Sequence, residues 1–459
     1  MQVSTQDLGG GAEQDAWRLF DNYRNQGHPS WLAVGRKQGS DPDVLPLPNH
    51  KFRDGWSKFW WQAHARLHGL DGSLPGVWRL SRLARRMVGL GKSLDSAVGI
   101  EDFRHPGAWH LLGLSPHKPE IVHCHNLHGG YFDLRALVWL SRQIPVVLTM
   151  HDAWLLSGHC AHSLGCDRWQ TGCGHCPDLA LLPAVKRDAT AYNWRRKQKI
   201  YRQSRLYVAA PSRWLMQKVE KSMLAPAARQ TRIIPYGLDL TLFQPADKLQ
   251  ARACLNIPPQ AKVLLFTANG IRHNIWKDYD TLRDALARLA QQWPNEPLLL
   301  IALGEDGPPE QIGSATVHFV PFQKEARIVA RYYQAADVYI HPARADTFPN
   351  TVLEALACGT PVAATAVGGI PEQIKSLAGM GQAQPAYGPD EATGILVAPG
   401  QASPLAAGLL ALLSDDALRH RLGENAARDA AERFNITREA QAYLAWYQEI
   451  VEDWNRNQS

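Results

Sequence analysis

Two carboxylates, an imidazole and two cations are spaced along this chain as a reaction on a phosphorylated, hydroxyl-rich molecule would require. In His341-Pro-Ala-Arg-Ala-Asp346-Thr-Phe-Pro-Asn-Thr-Val-Leu-Glu354, a strand-like run ends at His341 and a loop carries Asp346. A helical run then starts near Asn350 or Thr351 and puts Glu354 in its first turn. Carboxylates are natural acceptors for sugar hydroxyls. The amides of Phe348, Asn350, Thr351 and Val352 stand at the helix start, where unpaired N–H groups and the helix dipole favour a diphosphate. After the apolar run Val263 to Ala268 come Arg272 and Lys277, cations suited to a leaving group that gains negative charge in the transition state. His151 follows Val146 to Met150 and precedes Asp152, at a strand's carboxyl edge, where α/β proteins hold ligands. No Ser/His/Asp or Cys/His nucleophile arrangement is identifiable.

Smaller constellations surround these. Gly9-Gly10-Gly11 lies between a short first strand and a helix opened by Ala12 and Glu13, a turn that lets backbone approach an anion. It is neither a P-loop nor a dinucleotide fingerprint. Cys160, Cys166, Cys173 and Cys176, interleaved with His159, His162 and His175, have the spacing of a closed tetrahedral zinc site, with disulfides or free thiols as alternatives. His123, His125 and His128 end another strand; His125 and His128 are read as acceptor contacts or as plain loop histidines. Asp41-Pro-Asp43 and Asp278-Tyr-Asp280 fit a D-x-D metal pattern, but neither follows a strand that would place it at a nucleotide, so no catalytic divalent metal is implied.

The elements that must hold these groups alternate short β-rich runs with helical patterns, the sign of parallel α/β domains. Strands are expected at Ser30 to Val34, Ile121 to His123, Val146 to Met150 and Leu206 to Ala210, then at Val263 to Ala268, Leu298 to Leu303, Val317 to Val320, Val338 to His341 and Pro361 to Ala364. Helices are expected at Glu13 to Gln26, Leu134 to Arg142, Tyr279 to Gln292 and Thr351 to Ala357. With 459 residues and 45% hydrophobic side chains, two domains are the natural partition. The expected limits are 1–240, 241–433 and a last helix over 434–459 that packs on the second domain or crosses back to the first.

The segment TFPNTVLEALACGTPVAATAVGGIPEQI resembles the E-x7-E region of the family 4 glycosyltransferases, retaining enzymes of the GT-B fold. STQDLGGGAEQDAWRL resembles their opening glycine turn, VVLTMHDAW their first-domain histidine, IIPYGLDLTLFQP their interdomain hinge, and 261–285 their phosphate-binding lysine loop. The departure is Asp346, where the family most often has glutamate. The resemblance implies two facing Rossmann-like domains with a nucleotide-diphosphate sugar in the cleft. It places His151, Lys277, Asp346 and Glu354 in catalysis. Donor contacts would come from Gly10, Gly11, Arg272, Lys277, Thr347, Phe348, Pro349, Asn350, Thr351 and Glu354. Attack would come from the front face, a donor phosphate oxygen helping to take the acceptor proton. No cofactor is required, zinc being structural if present. A nucleotide-sugar epimerase of the same fold and a zinc-braced, non-catalytic binding protein are the competing readings.

Charge adds an expectation about partners. The chain carries +6, yet residues 51–92 hold nine lysines and arginines against two aspartates, so the other 417 residues sum to −1. Four of the 16 tryptophans, Trp56, Trp60, Trp61 and Trp78, share that window. Lys51 to Leu67 and Val77 to Met87 can be drawn as helices with aromatic and aliphatic residues on one face and basic ones on the other, which suits an anionic membrane surface. A core-filling role for the aromatics is the alternative. No nucleic-acid module accompanies the charge. With no signal-like run at MQVSTQDLGGG, the expectation is a cytoplasmic protein, peripheral on the inner face of the membrane, acting on a lipid-linked oligosaccharide or other glycan acceptor.

Overall fold

The computed structural model describes residues 1–52, 55–68, 77–88, 90–293, 297–380 and 385–456. Two compact units divide the chain. The first comprises Met1–Ala209, Met216–Arg232 and Trp446–Ser459; the second comprises Ala210–Leu215 and Ile233–Ala445. The division falls a few residues before the expected 240, and of the expected last segment only the part from Trp446 groups with the first unit.

The first unit is built on strands β1 (Gln2–Gln6), β2 (Leu32–Arg36), β3 (Val44–Pro46), β4 (Val122–Cys124), β5 (Val146–Thr149), β6 (Leu206–Ala210) and β7 (Ala228–Ile233), in the order β3-β2-β1-β4-β5-β6-β7. Parallel strands covered on both faces read as continuous apolar runs, and β5, with all four residues buried, is such a strand. β1 is central although the chain starts beside it: it pairs with both β2 and β4, and the Met1 amino group donates to the Ile121 carbonyl at 2.9 Å. β2 starts two residues later than its sequence suggests, because the Leu32 amide takes the Asp43 carbonyl of the next strand's approach.

The second unit holds β8 (Lys262–Thr267), β9 (Leu298–Leu303), β10 (Glu310–Ile312), β11 (Ala315–Val320), β12 (Val338–His341), β13 (Val362–Thr365), β14 (Ser376–Leu377), β15 (Ala386–Tyr387) and β16 (Gly394–Val397). Their order is β10-β11-β9-β8-β12-β13-β16-β14-β15, parallel except for the β10–β11 pair. Helix Tyr279–Gln292 covers one face with Leu282, Ala285, Leu286 and Leu289, a spacing that forms one apolar stripe. Each of those leucines contributes about 1.5–3 kcal/mol by leaving water. In both sheets the strand order reverses beside the first strand of the unit, at β1/β4 and at β8/β12. Open α/β sheets bind ligands at such switch points, outside the carboxyl ends of the strands.

The basic window forms helices Gly55–His68 and Val77–Val88, followed by Leu90–Ala97. The expected start at Lys51 is corrected to Gly55, and positions 53, 54, 69–76 and 89 of the window lie outside the described residues. The C-terminal region is three helices, Ala402–Ser414, Asp416–Arg433 and Ile436–Arg456, so a second break falls at Asp415, which caps its helix by accepting from the Leu418 amide.

Trp446, fully buried, anchors the end of the chain in the first unit: its indole N–H donates to Gln230 Oε1 at 2.9 Å and its ring meets Tyr207 edge-on. Replacing Trp446 by alanine is expected to lower the unfolding free energy by about 3–5 kcal/mol in a guanidinium titration. A loss below about 1 kcal/mol would contradict this placement.

Candidate active site

In the second unit the loop after β8 and the loop after β12 bring their charged groups together. Lys277 Nζ donates to Asp346 Oδ2 at 2.5 Å, and His341 Nε2 donates to the same oxygen at 3.1 Å. Tyr339 OH donates to His341 Nδ1 at 3.1 Å, which leaves Nε2 as the protonated ring nitrogen. Burial alone would push the Asp346 carboxyl up, but the Lys277 ammonium and the His341 N–H hold it well below the usual range. His341 is lowered to about 4, by burial first and then by Lys277, so the imidazole is neutral at pH 7.

The two loops are tied by Asp278. This residue adopts a left-handed φ of 46° at the head of helix Tyr279–Gln292. It accepts from Arg344 Nη2 at 2.7 Å and from Thr281 Oγ1 at 2.8 Å. The Arg344 amide in turn donates to the Trp276 carbonyl. Gly368 closes the far side: a Cβ there would stand 1.6 Å from the Asp346 carbonyl oxygen, so no other residue fits.

Helix Asn350–Ala357 starts after Pro349, whose φ of −65° and ψ of 126° end the extended run. Glu354 is therefore its fifth residue and lies in the second turn, not the first. The Val352 amide is already taken by the Pro349 carbonyl, which removes one of the expected donors at the helix start. Glu354 is buried and accepts from Tyr333 OH at 2.8 Å, and Tyr333 is bonded to Thr267 at the end of β8. Thr347 and Phe348 are buried in the same loop.

Arg272 is placed elsewhere than expected. Glu305 accepts from its amide and from Nη1, both at 2.9 Å, Glu310 stands 3.5 Å from Nε, and the guanidinium lies 3.9 Å over the Phe319 ring. That position satisfies its charge without an anion. The D-x-D aspartates are likewise occupied: Asp41 and Asp43 both accept from Arg24.

In the first unit the corresponding edge is a cluster of histidines. His125 is fully buried, its Nε2 donating to Gln2 Oε1 at 2.9 Å and its Nδ1 2.9 Å from His151 Nε2. The expectation that His125 meets an acceptor is thus corrected, since its ring is enclosed and both nitrogens have protein neighbours. His123 is also buried, between Tyr447 OH and Thr149 Oγ1. Burial pushes His123, His125 and His151 well below the ordinary histidine value, so these rings are neutral. His128, partly exposed, donates to Asp152 Oδ2 at 2.8 Å. Burial would lower His128, but Asp152 more than offsets it and raises the imidazole. Burial would raise Asp152, and His128 more than reverses that, bringing it to about 2. Gly10 caps helix Gly11–Asn25, and the first-turn Glu13 accepts from Thr5 Oγ1.

Residues 102–242 match the family described as Glycosyltransferase Family 4, and residues 247–429 match Glycosyl transferases group 1. The chain belongs to the family 4 glycosyltransferases. It is 36% identical over 241 residues to a D-inositol 3-phosphate glycosyltransferase of Kineococcus radiotolerans, an alignment covering 48% of this chain and 52% of that protein. The chain thus spans about half the length of this curated relative. Two solved structures show the GT-B fold. The Anabaena protein HepE, crystallised with UDP-glucose, has a TM-score of 0.55 at 17% identity and 98% coverage of both chains. WaaG, a glycosyltransferase involved in lipopolysaccharide biosynthesis, has a TM-score of 0.56 at 17% identity, covering 96% of this chain and 97% of its own.

For this family 4 chain the second unit gathers Lys277, Asp346 and the start of helix Asn350–Ala357 as the sequence suggested, and it does not bring Arg272 to Asp346. The four cysteines do not meet the geometry expected of a closed zinc site: among the described residues, only Asp15, His125 and His151 bring three such donors within 4.8 Å of one another, although Cys173 lies near enough to Cys160 and Cys166 to feel their charge. The thiols have local partners instead. Cys173 Sγ accepts from the Gly158 amide at 3.3 Å, and Cys176 Sγ lies 3.3 Å from His159 Nε2 and donates to the Asp178 carbonyl at 3.4 Å. Burial pushes Cys173 up to about 12, so it rests as a thiol. Sequence reasoning missed His341 as a partner of Asp346, Tyr333 as a partner of Glu354, and Asp15. A histidine that closes a buried strand was the available signal for the first; the other two are ordinary helix residues by pattern.

The His128–Asp152 pair has a worked pH dependence. Asp152, depressed in the folded state, stabilises above its unfolded value of about 3.8, and that contribution fades as pH falls through about 2. His128, raised in the folded state, stabilises below about 6.5 and loses that contribution as pH rises through its folded value. The stability difference between the native chain and His128→Gln should therefore be largest between about pH 4 and 6.5 and shrink on both sides, read from denaturant midpoints across pH. A difference that grows steadily to pH 9 would contradict the pair.

Proposed function

We propose that the chain transfers a hexosyl group from a nucleoside-diphosphate sugar to a hydroxyl of a lipid-linked oligosaccharide or surface-glycan intermediate, with retention at the anomeric carbon. The observation that carries this reading is the buried Lys277–Asp346–His341 cluster at the β8/β12 switch point, beside the start of helix Asn350–Ala357. A diphosphate at that edge would receive the amides of Asn350 and Thr351 and the Lys277 ammonium, fixed before the reaction begins. As the bond from sugar C1 to the phosphate oxygen breaks, the charge on the leaving diphosphate grows, and Lys277 stabilises it. The acceptor hydroxyl forms the new bond to C1 from the same face, and its proton passes to a phosphate oxygen. Glu354 and Asp346 would accept hydrogen bonds from sugar hydroxyls. That HepE was crystallised with UDP-glucose supports a donor of this class, and the lipopolysaccharide role of WaaG supports a glycan acceptor.

The membrane as the place where the acceptor is met is part of the same proposal. Phe59, Trp78, Leu80, Leu83 and Leu94, all apolar and all exposed, occur on the three consecutive helices of the basic window. Helices Gly55–His68 and Val77–Val88 carry no acidic residue, and Arg82 lies 4.8 Å over the Trp78 ring. Exposed apolar side chains beside cations, on two helices without acidic residues, suit the headgroup level of an anionic bilayer. Among the described residues, no helix is long and apolar enough to cross a membrane.

Lys277→Ala and Glu354→Ala are each expected to reduce kcat about 100- to 1000-fold in a radiolabelled-sugar transfer assay, with folding checked by circular dichroism. Unchanged transfer in both would refute the assignment, and conversion of the donor sugar with no acceptor present would favour epimerisation instead. Binding to phosphatidylglycerol vesicles should fall about tenfold in Trp78→Ser/Leu83→Ser, since each exposed apolar side chain that enters the interface contributes about 1 kcal/mol or more. Equal binding to phosphatidylcholine and phosphatidylglycerol would remove the electrostatic part of the proposal.

A further inference from the structure

Three buried side chains of the first unit, taken from three elements, aim donor atoms at one point. Asp15 belongs to helix Gly11–Asn25, His125 follows β4, and His151 follows β5. His125 Nδ1 and His151 Nε2 are 2.9 Å apart, and Asp15 Oδ2 is 3.9 Å from each. The point equidistant from these atoms lies about 2.1 Å from all three, within the range of roughly 2.0–2.2 Å that zinc keeps to imidazole nitrogen and carboxylate oxygen. A hydrogen bond explains the short His125–His151 separation. The carboxylate stands equally far from both nitrogens, an arrangement that a shared ion accommodates.

The surroundings fit the same reading. His125 Nε2 donates to the amide oxygen of Gln2, which fixes the tautomer and turns the Nδ1 lone pair toward the centre, the arrangement that orients histidine ligands in metal sites. Gln2 is itself buried in β1, and the His123 ring packs against His125 with centroids 4.4 Å apart. Two imidazoles and one carboxylate suit a borderline transition metal, while magnesium and calcium want oxygen ligands.

We propose that Asp15, His125 and His151 bind one divalent transition-metal ion with the preferences of zinc. The ion joins the helix after β1 to the carboxyl ends of β4 and β5, and three protein ligands leave a further coordination position for a water or a hydroxyl. This site lies in the first unit and uses none of the Lys277 cluster; it shares His151 with the catalytic set the resemblance implies, so its test reads metal binding and not sugar transfer.

The test uses the full chain stripped with chelator and titrated with cobalt(II), alongside elemental analysis of the protein as purified. One ion per chain is expected, with visible d–d absorption and without the intense near-ultraviolet band of cobalt bound to thiolate. Affinity should fall at least about tenfold in Asp15→Asn and in His125→Gln, and should persist when Cys160, Cys166, Cys173 and Cys176 are all replaced by serine. No cobalt bound by the stripped native chain would overturn the proposal. So would affinity unchanged in Asp15→Asn, or a thiolate band lost with the cysteines, which would assign the ion to the cysteine loop. If the Asp15 and His125 variants fail to fold, the cobalt spectrum of the native chain still decides between nitrogen/oxygen and sulfur ligands.

Discussion

A cation and a carboxylate held 2.5 Å apart in a largely buried setting set the terms for the second unit. Removing both from water costs several kcal/mol per ion, and their attraction offsets that only where further hydrogen bonds fix the geometry. Those bonds are present: His341 donates to Asp346, Tyr339 orients His341, and the Asp278–Arg344 pair holds the two loops in register. His341 ends β12, Arg344 follows it, and Asp278 heads the helix that comes after β8. The parallel sheet is buried on both faces, so its strand ends are where polar side chains find room, and the fold therefore decides where charge can stand.

The first unit meets the same constraint with a different solution. Its strand ends carry His123, His125 and His151, all neutral and mutually packed, with the His128–Asp152 pair at the partly exposed edge. Neutral rings in a buried layer avoid the desolvation cost that makes the Lys277 site so dependent on its surroundings. Tyr447, from the last helix, completes this layer by bonding His123, which explains why the C-terminal residues group with a sheet more than 300 positions away.

What the sequence made legible was local. Strand-then-loop patterns before His151, Lys277 and Asp346 announce themselves over a dozen residues, and the alternation of β-rich and helical runs suffices for two parallel α/β units. Contacts over longer separations carried no such mark. Arg272 looked free for an anion because Glu305, which captures it, is 33 residues on, at the end of a different strand. The cysteine spacing suggested a closed site, yet two of the thiols have partners just outside the cluster: Cys173 takes the Gly158 amide, and Cys176 meets His159 and the Asp178 carbonyl. Glu354 falls in the second turn because the helix takes the earlier of the two expected starts, Asn350, directly after the cap Pro349.

Asp346 shows how a change of one methylene propagates. A glutamate at this position would extend its carboxylate farther from the loop; the shorter aspartate keeps it at the strand end, where His341 Nε2 reaches it at 3.1 Å. The loop cannot advance to compensate, because its backbone packs on Gly368 with no room for a Cβ. The carboxylate is thereby committed to Lys277 before any ligand arrives. A diphosphate at this edge, as proposed, would share the ammonium with Asp346, and were Lys277 to turn toward phosphate, the neutral His341 would still donate one hydrogen bond to the oxygen that the lysine leaves.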